Sequence, residues 1–480
     1  MDTQAPPPAM LHAASLENRT FDEIAIGDSA TLSRTLNNDD ISLFAYLSGD
    51  INPAHLDPDY ARTDMFHHII VHGMWTAGLI SALLGTKLPG PGTIYLDQSL
   101  QFRAPVAPGD TITATVTVSE RIPEKHRLSL ECLAVNQNQI VVLKGTALVQ
   151  APTEKIRRPA MALPDIRLSR HERFNTLLQQ ARSNGPIPTA VVHPCDALSL
   201  TGALEAAAAG LIIPILVGPE AKIRAAAAAA QLDLTGLRIE TTPHSHASAA
   251  RAVALVRNGD AKLLMKGALH TDELMHEVVD ASTGLRTDRR VSHVYVMDVP
   301  SYPRPLLVTD AAINIAPDLA TKRDIAQNAI HLAHALGIDT PKLAVLAAVE
   351  TINPAMPATL DAAALSKMAE RGQITGGIID GPLAFDNAVS PQAAREKNIV
   401  SPVAGQADIL LVPDIEAGNM VAKQLTFLAG ADAAGIVVGA RVPIVLTSRA
   451  DDARTRLASC AVAILLAAHE QRNSARTTTP

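Results

Sequence analysis

The chain has 480 residues, 47% hydrophobic and 19% charged, with a formal net charge of −7. That length exceeds what one hydrophobic core serves and predicts two or three domains. The acidic balance, with no long lysine or arginine run, excludes nucleic acid or an anionic membrane as the main partner. A few local arginines still suffice for a small anionic substrate.

Cys132, Cys195 and Cys460 stand too far apart for a metal motif or a disulfide framework, which fits a reducing compartment. Residues 1–14 do not read as a secretory leader, and no apolar stretch reaches the roughly 20 residues of a membrane span. The expectation is a soluble, cytoplasmic protein with no metal.

In chain order, Ile41, Phe44 and Ala45 predict a short amphipathic helix that Gly49 ends. Asp50, Asn52 and His55 then fall on a loop stiffened by Pro53. Met74–Gly85 is apolar nearly all round and predicts a buried helix. Thr111–Val118 alternates strictly, with Ile112, Ala114, Val116 and Val118 on one face, the period of a half-buried strand. Two more strands are expected at Arg127–Asn136 and Ile140–Gln150, joined by the polar turn Gln137-Asn138-Gln139. Short links make an antiparallel meander. An antiparallel sheet curled round one enclosed helix is a hotdog, an α+β domain expected over residues 15–150. Residues 151–168 hold three prolines and no clear period and predict a linker.

Residues 169–474 change to a strand–helix–strand rhythm. Strands are expected at Ala190–Val192, Leu211–Val217, Lys262–Met265, Leu343–Val349, Ile374–Ile379, Ile409–Val412 and Pro443–Leu446. Helices are expected at Asp196–Ala209 and Thr321–Leu336, and the Ala225–Ala230 run reads as a helix interior. Such alternation predicts an α/β domain whose sheet is mainly parallel. No GxGxxG lies at a strand–helix junction and no GxxxxGK[ST] occurs.

The first chemical constellation is Asp50, Asn52 and His55. A carboxylate and an imidazole this close could both reach one water and move protons to and from it; the same residue types also make ordinary turns. The segment YLSGDINPAHLDPDYA resembles the signature of the MaoC-type (R)-specific enoyl-CoA hydratases. Val71-His72-Gly73-Met74 and Leu100–Val106, leading to Pro108-Gly109-Asp110, match in the same order. The resemblance implies that Asp50 and His55 activate the water that adds to a trans-2-enoyl thioester, with Asn52 orienting it. Gly73, at a helix start, is the candidate binder of the thioester oxygen. His72 could instead be a satisfied structural histidine and is left outside the site, and hydration needs no cofactor.

The second constellation lies at expected strand ends, where open α/β folds bind ligands. It comprises His193–Asp196, Lys266–Thr271, Asp380–Asn387, Pro413–Asn419 and Thr447–Asp451. As an ordered set these resemble the phosphate acetyl/butyryltransferase family, closest to its butyryl branch, through IIDGPLAFDNAVS, VAGQADILLVPDIEAGNM and PIVLTSRAD. The resemblance implies two α/β subdomains facing a cleft, an isocitrate-dehydrogenase-like fold, and acyl transfer between coenzyme A and inorganic phosphate. Arg449 is then the phosphate clamp, its planar fork matching the anion, and Ser448 a donor to developing charge. Asp451 is the candidate base, because the position the acetyl branch uses is Thr455 here. Lys266, Asp386 and Asn419 are candidate substrate-binding residues. Where the family tends to carry an arginine this chain has His276; Arg286, Arg289 and Arg290 either compensate or form a solvated turn.

The favoured reading is a bifunctional enzyme acting on coenzyme A thioesters and phosphate, with no permanently bound cofactor, assembled as a homo-oligomer. Two alternatives stay open. In one, a single phosphate acyltransferase uses the hotdog domain for oligomerisation or acyl-CoA binding. In the other, the second domain is a dehydrogenase of similar fold.

Overall fold

The computed structural model describes residues 15–161, Ile166, 172–446 and 452–477. The chain divides into two compact units, Met1–Leu168 and Ser169–Pro480.

In the first unit the strands are β1 (Ser15–Glu17), β2 (Ser29–Thr35), β3 (Ile94–Phe102), β4 (Thr111–Ile122), β5 (Arg127–Val135), β6 (Val141–Gln150) and β7 (Arg157–Pro159). The helices are α1 (Asn38–Ser48), α2 (Pro53–Leu56), α3 (Pro58–Thr63) and α4 (Gly73–Thr86). Five strands form one antiparallel sheet in the order β2-β4-β5-β6-β3. Ile112, Ala114, Val116 and Val118 of β4 are all buried in one cluster with Trp75, Leu79, Ile80, Leu83 and Leu84 of α4. The alternation of β4 and the apolar surface of α4 therefore meet as core against core: a hotdog. Sheet curvature brings β6 hard against β3. A Cβ on Gly145 would sit 1.9 Å from the Ser99 carbonyl oxygen, so only glycine fits there.

Two local expectations change. Asn52 caps a short helix with Pro53 at its first position, so His55 rides on a helical turn, not a loop. Proline fits that position because its missing N–H has no intrahelical partner anyway. The expected linker also begins inside the first unit: Ala151 is buried and β7 pairs with β1.

In the second unit the strands are β8 (Ile187–Val192), β9 (Ile212–Gly218), β10 (Arg238–Thr241), β11 (Leu263–Lys266), β12 (Ser292–Asp298), β13 (Leu306–Thr309), β14 (Lys342–Leu346), β15 (Ile378–Leu383), β16 (Ile409–Leu411), β17 (Asp432–Val438) and β18 (Ile444–Val445). The helices are α5 (Glu172–Ser183), α6 (Ala197–Ala208), α7 (Glu220–Ala229), α8 (Ser245–Arg257), α9 (Thr271–Val279), α10 (Leu319–Ala335), α11 (Pro357–Glu370), α12 (Phe385–Val389), α13 (Pro391–Glu396), α14 (Ile415–Phe427) and α15 (Ala453–Thr477). One sheet runs through the unit in the order β10-β9-β8-β11-β18-β17-β12-β13-β16-β14-β15. Its outer pairings are parallel, while β18–β17, β17–β12 and β12–β13 at its centre are antiparallel. The strand expected at Ile374–Ile379 instead runs Ile378–Leu383, because Gly376 turns the chain at φ +85° just before it. Aliphatic clusters cover both faces of this sheet. Among the described residues no helix is long and apolar enough to cross a membrane.

Candidate active sites

The first site is assembled by helix ends. Gly49 takes the left-handed conformation that closes α1, and the chain turns out at Asp50. The Asn52 side-chain oxygen accepts the Ala54 N–H at 3.1 Å and starts α2. The amide nitrogen of Asn52 is left over from this cap as a possible donor. His55 follows, half-buried, and its Nδ1 lies 2.8 Å from the Ile70 carbonyl oxygen. A carbonyl can only accept, so the hydrogen is on Nδ1, and in the neutral ring Nε2 keeps its lone pair. The Asp50 carboxylate is exposed and accepts the Asn52 N–H at 3.2 Å.

His72, left outside the site in the sequence reading, packs against this group. It is 2% exposed, and its Nε2–H donates to the Asp50 carbonyl oxygen at 3.0 Å. Its ring lies over His55 with centroids 3.9 Å apart and planes inclined by 32°. Its Nδ1 is buried without a hydrogen-bond partner. The signal available in the sequence was the position of His72 directly before the central helix. Asp50, His55 and His72 each place a ligand-type atom within 4.8 Å of the others. A metal such as zinc binds nitrogen at about 2.0–2.1 Å, so the group would have to close in to hold one.

Beside them opens a cavity of about 480 Å³ lined by His55, Phe66, Ile70, Gly73, Met74 and Phe102, among others. Gly73 is the first residue of α4, so the free N–H groups of that helix start face this region. A Cβ on Gly73 would come within 2.9 Å of the Phe102 ring. Met74 stays 57% exposed because it faces this opening instead of the core. The arrangement pairs an unprotonated imidazole nitrogen and a carboxylate with a mostly apolar pocket.

In the second unit, Ser448, Arg449 and Asp451 lie outside the described residues. What flanks them is described. Leu446 precedes them, Asp452 and Thr455 follow, and all three line a cavity of about 300 Å³ together with Tyr295, Asn419 and Lys423. Asn419 sits on α14 with its amide 3.5 Å from the Ala311 carbonyl oxygen. Lys266 ends β11, whose Met265 is in register with Val445 of β18. Asp386 is elsewhere: it follows the edge strand β15, and its carboxylate lies 3.8 Å from Lys397 Nζ.

Asp452, one residue beyond the nominated Asp451, went unnoticed in the sequence. It accepts the Thr455 N–H at 2.7 Å, and that bond holds its carboxyl below the usual carboxylate range. A carboxylate so stabilised is a poor base and a good anchor for the start of α15. The strand behind the cavity holds His293, which is 2% exposed. Burial pushes its imidazole down to about 4, against the opposing pull of Asp310.

Fold and sites together define a two-part protein, a hotdog with a carboxylate–imidazole group followed by an α/β unit with a cavity beside β12 and β17. Residues 24–136 match the family model described as MaoC like domain, and residues 245–464 match that described as Phosphate acetyl/butaryl transferase. A phosphate acetyltransferase of Rhizobium meliloti is 64% identical over 299 residues, 62% of this chain and 95% of that protein. A phosphate butyryltransferase of Clostridium acetobutylicum is 42% identical over 62% of this chain and 99% of its own length. Among solved structures, a branched-chain phosphotransacylase from Enterococcus faecalis V583 matches at 30% identity and a TM-score of 0.52, over 58% of this chain and 99% of that one. The chain belongs to the phosphate acetyl/butyryl transferase family, and it carries a MaoC-like domain fused ahead of the family's fold. Of the two relatives, the acetyl-named one is the more similar in sequence.

Proposed function

We propose that the protein is a bifunctional acyl-CoA enzyme: a hydratase of trans-2-enoyl-CoA in the first unit and a phosphate acetyltransferase in the second. The observation that carries the transferase reading is 64% identity across 95% of a phosphate acetyltransferase. In this reaction a phosphate oxygen attacks the thioester carbonyl carbon, the C–S bond breaks, and the coenzyme A thiolate takes a proton. Arg449 holds the phosphate and Ser448 donates to the developing negative charge, with Asp451 nominated as base. Lys266, at the end of β11 beside β18, and Asn419, on the cavity wall, complete the proposed site. Asp386, apart from that cavity, has a structural role on this reading. Positioning and charge stabilisation supply most of what such a transfer requires.

What supports hydration is the tautomer of His55. With Nδ1–H fixed on the Ile70 carbonyl, Nε2 can take a proton from water while Asp50 holds that water. The water oxygen bonds to the β-carbon, and the α-carbon receives a proton. N–H groups at the start of α4, Gly73 among them, carry the enolate-like oxygen, and the apolar cavity takes the acyl chain.

The test uses the intact protein and two substitutions. Asp50→Asn should lower hydration of trans-2-enoyl-CoA by about 10²–10⁴-fold and leave thiol release from acetyl-CoA and phosphate unchanged. Arg449→Ala should do the reverse, at about 10²–10³-fold. Absence of hydration in the unsubstituted protein would leave the hotdog as an assembly or binding module.

A further inference from the structure

The cavity beside β12 and β17 presents a nucleophile that acyl transfer to phosphate does not use. Asn419, Ala422, Lys423, Thr426 and Phe427 all line it, and their spacing is that of one face of a helix. α14 turns this face to the cavity and carries the Lys423 amine with it. Leu446 and Asp452 line the same cavity and bracket the segment that holds Ser448, Arg449 and Asp451. The wall that bears Lys423 is therefore continuous with both ends of the proposed transfer loop.

Other lysines of the second unit are held by carboxylates. Lys322 pairs with Asp361 at 2.7 Å, Lys397 pairs with Glu350 at 3.2 Å, and Lys367 pairs with Glu370. An amine clamped in this way keeps its proton and turns from an electrophile. Among the described residues Lys423 makes no ion pair and donates no hydrogen bond, and it is exposed. The two carboxylates of its own cavity are engaged elsewhere. Asp432 lies 3.8 Å from Arg454, and Asp452 accepts the Thr455 N–H at 2.7 Å.

An uncharged amine attacks an acyl phosphate at its carbonyl carbon. The C–N bond forms, the C–O bond to the phosphate breaks, and the amine proton leaves with the phosphate as hydrogen phosphate. No further reactant is needed, because an acyl phosphate is the product of the proposed transfer. Released into a cavity that carries an amine, it meets that amine at a far higher effective concentration than it meets lysines elsewhere. We propose that Lys423 is an acylation site, modified by acyl phosphate held at the neighbouring loop. Supply of that acyl phosphate rests on the transferase reading above.

The experiment incubates the intact protein with acetyl-CoA and phosphate, and in a second arm with acetyl phosphate alone. Thiol release is followed in the first arm, and acetylated peptides are quantified over time by mass spectrometry in both. Lys423 should be modified at least about tenfold faster than Lys125 and Lys144, exposed lysines of the first unit. Arg449→Ala, which removes the proposed phosphate clamp, should bring Lys423 down to their rate. Arg449→Lys, which keeps the charge, should retain part of the preference and guards against misfolding. Equal rates at the three lysines of the unsubstituted protein overturn the proposal. So does a Lys423 preference unaltered in Arg449→Ala, because the loop then plays no part. Thiol release without a Lys423 preference defeats this inference and keeps the transferase reading. A Lys423 preference with acetyl phosphate, in a protein that releases no thiol, keeps the acylation site and loses the transferase reading.

Discussion

Replacing His72 by phenylalanine separates catalysis from folding in the first unit, because the two effects have opposite sign. The ring volume and the face packed against His55 at 3.9 Å are largely retained. What is lost is one donor, Nε2–H, which holds the Asp50 carbonyl oxygen at 3.0 Å. A neutral hydrogen bond of this sort is worth about 0.5–1.5 kcal/mol, and the freed carbonyl sits on an exposed residue where water can replace the donor. Phenylalanine also removes a buried nitrogen, Nδ1, that has no partner, a group costing about 1–3 kcal/mol while unsatisfied. The fold should therefore be unharmed or slightly stabilised. Catalysis should suffer, since the Asp50 carboxylate is positioned through this backbone, and a displacement of about 1 Å costs about 10²-fold. We expect the hydration kcat to fall between about 10-fold and 100-fold with Tm unchanged or higher. His72→Gln, which can still donate, should restore part of the rate. Hydration assays beside thermal melting decide the matter: an unaltered kcat, or a rate loss that tracks a fall in Tm, refutes the reasoning.

Two further outcomes follow from the packing. Gly145→Ala would drive a methyl group into the Ser99 backbone and should cost about 1–3 kcal/mol or more, read as a lower melting temperature together with loss of hydration. His293 makes stability depend on pH. Its imidazole sits at about 4 in the folded state against an ordinary 6.5, so the unfolded chain takes the proton first on acidification. The contribution is complete above about pH 6.5 and is lost as pH falls towards 4, about 3 kcal/mol for this one group. Denaturant unfolding across that range should show the slope, and His293→Gln should flatten it; an equal slope in the variant would assign the pH dependence to other groups.

Local periodicity was enough to read much of this protein, and pairing over distance was not. The alternation of Thr111–Val118 and the all-apolar Met74–Gly85 sufficed for a strand and a buried helix, since each records its own environment. Asn52-Pro53 was ambiguous on its own terms: a proline that stiffens a loop is written the same way as one that opens a helix, and the structure chooses the helix. The antiparallel centre of the second sheet was hidden because β12, SHVYVMD, mixes polar and aromatic residues, with His293 buried inside it. A strand flanked on both sides and covered on both faces shows no alternation to find.

The functional groups divide the same way. Asp50 and His55 announce themselves by closeness in sequence, whereas His72 acquires a role only when the fold lays its ring on His55 and its N–H on Asp50. Arg286, Arg289 and Arg290 were visible as a run that could equally be a solvated turn. The difference lies in Asp324, a buried carboxylate on a later helix that fixes both the loop backbone and a fourth guanidinium. A charged loop anchored by a buried counter-charge keeps a fixed backbone course. The same loop without Asp324 would lose that anchor, so the helix beneath, not the run of arginines, sets its conformation.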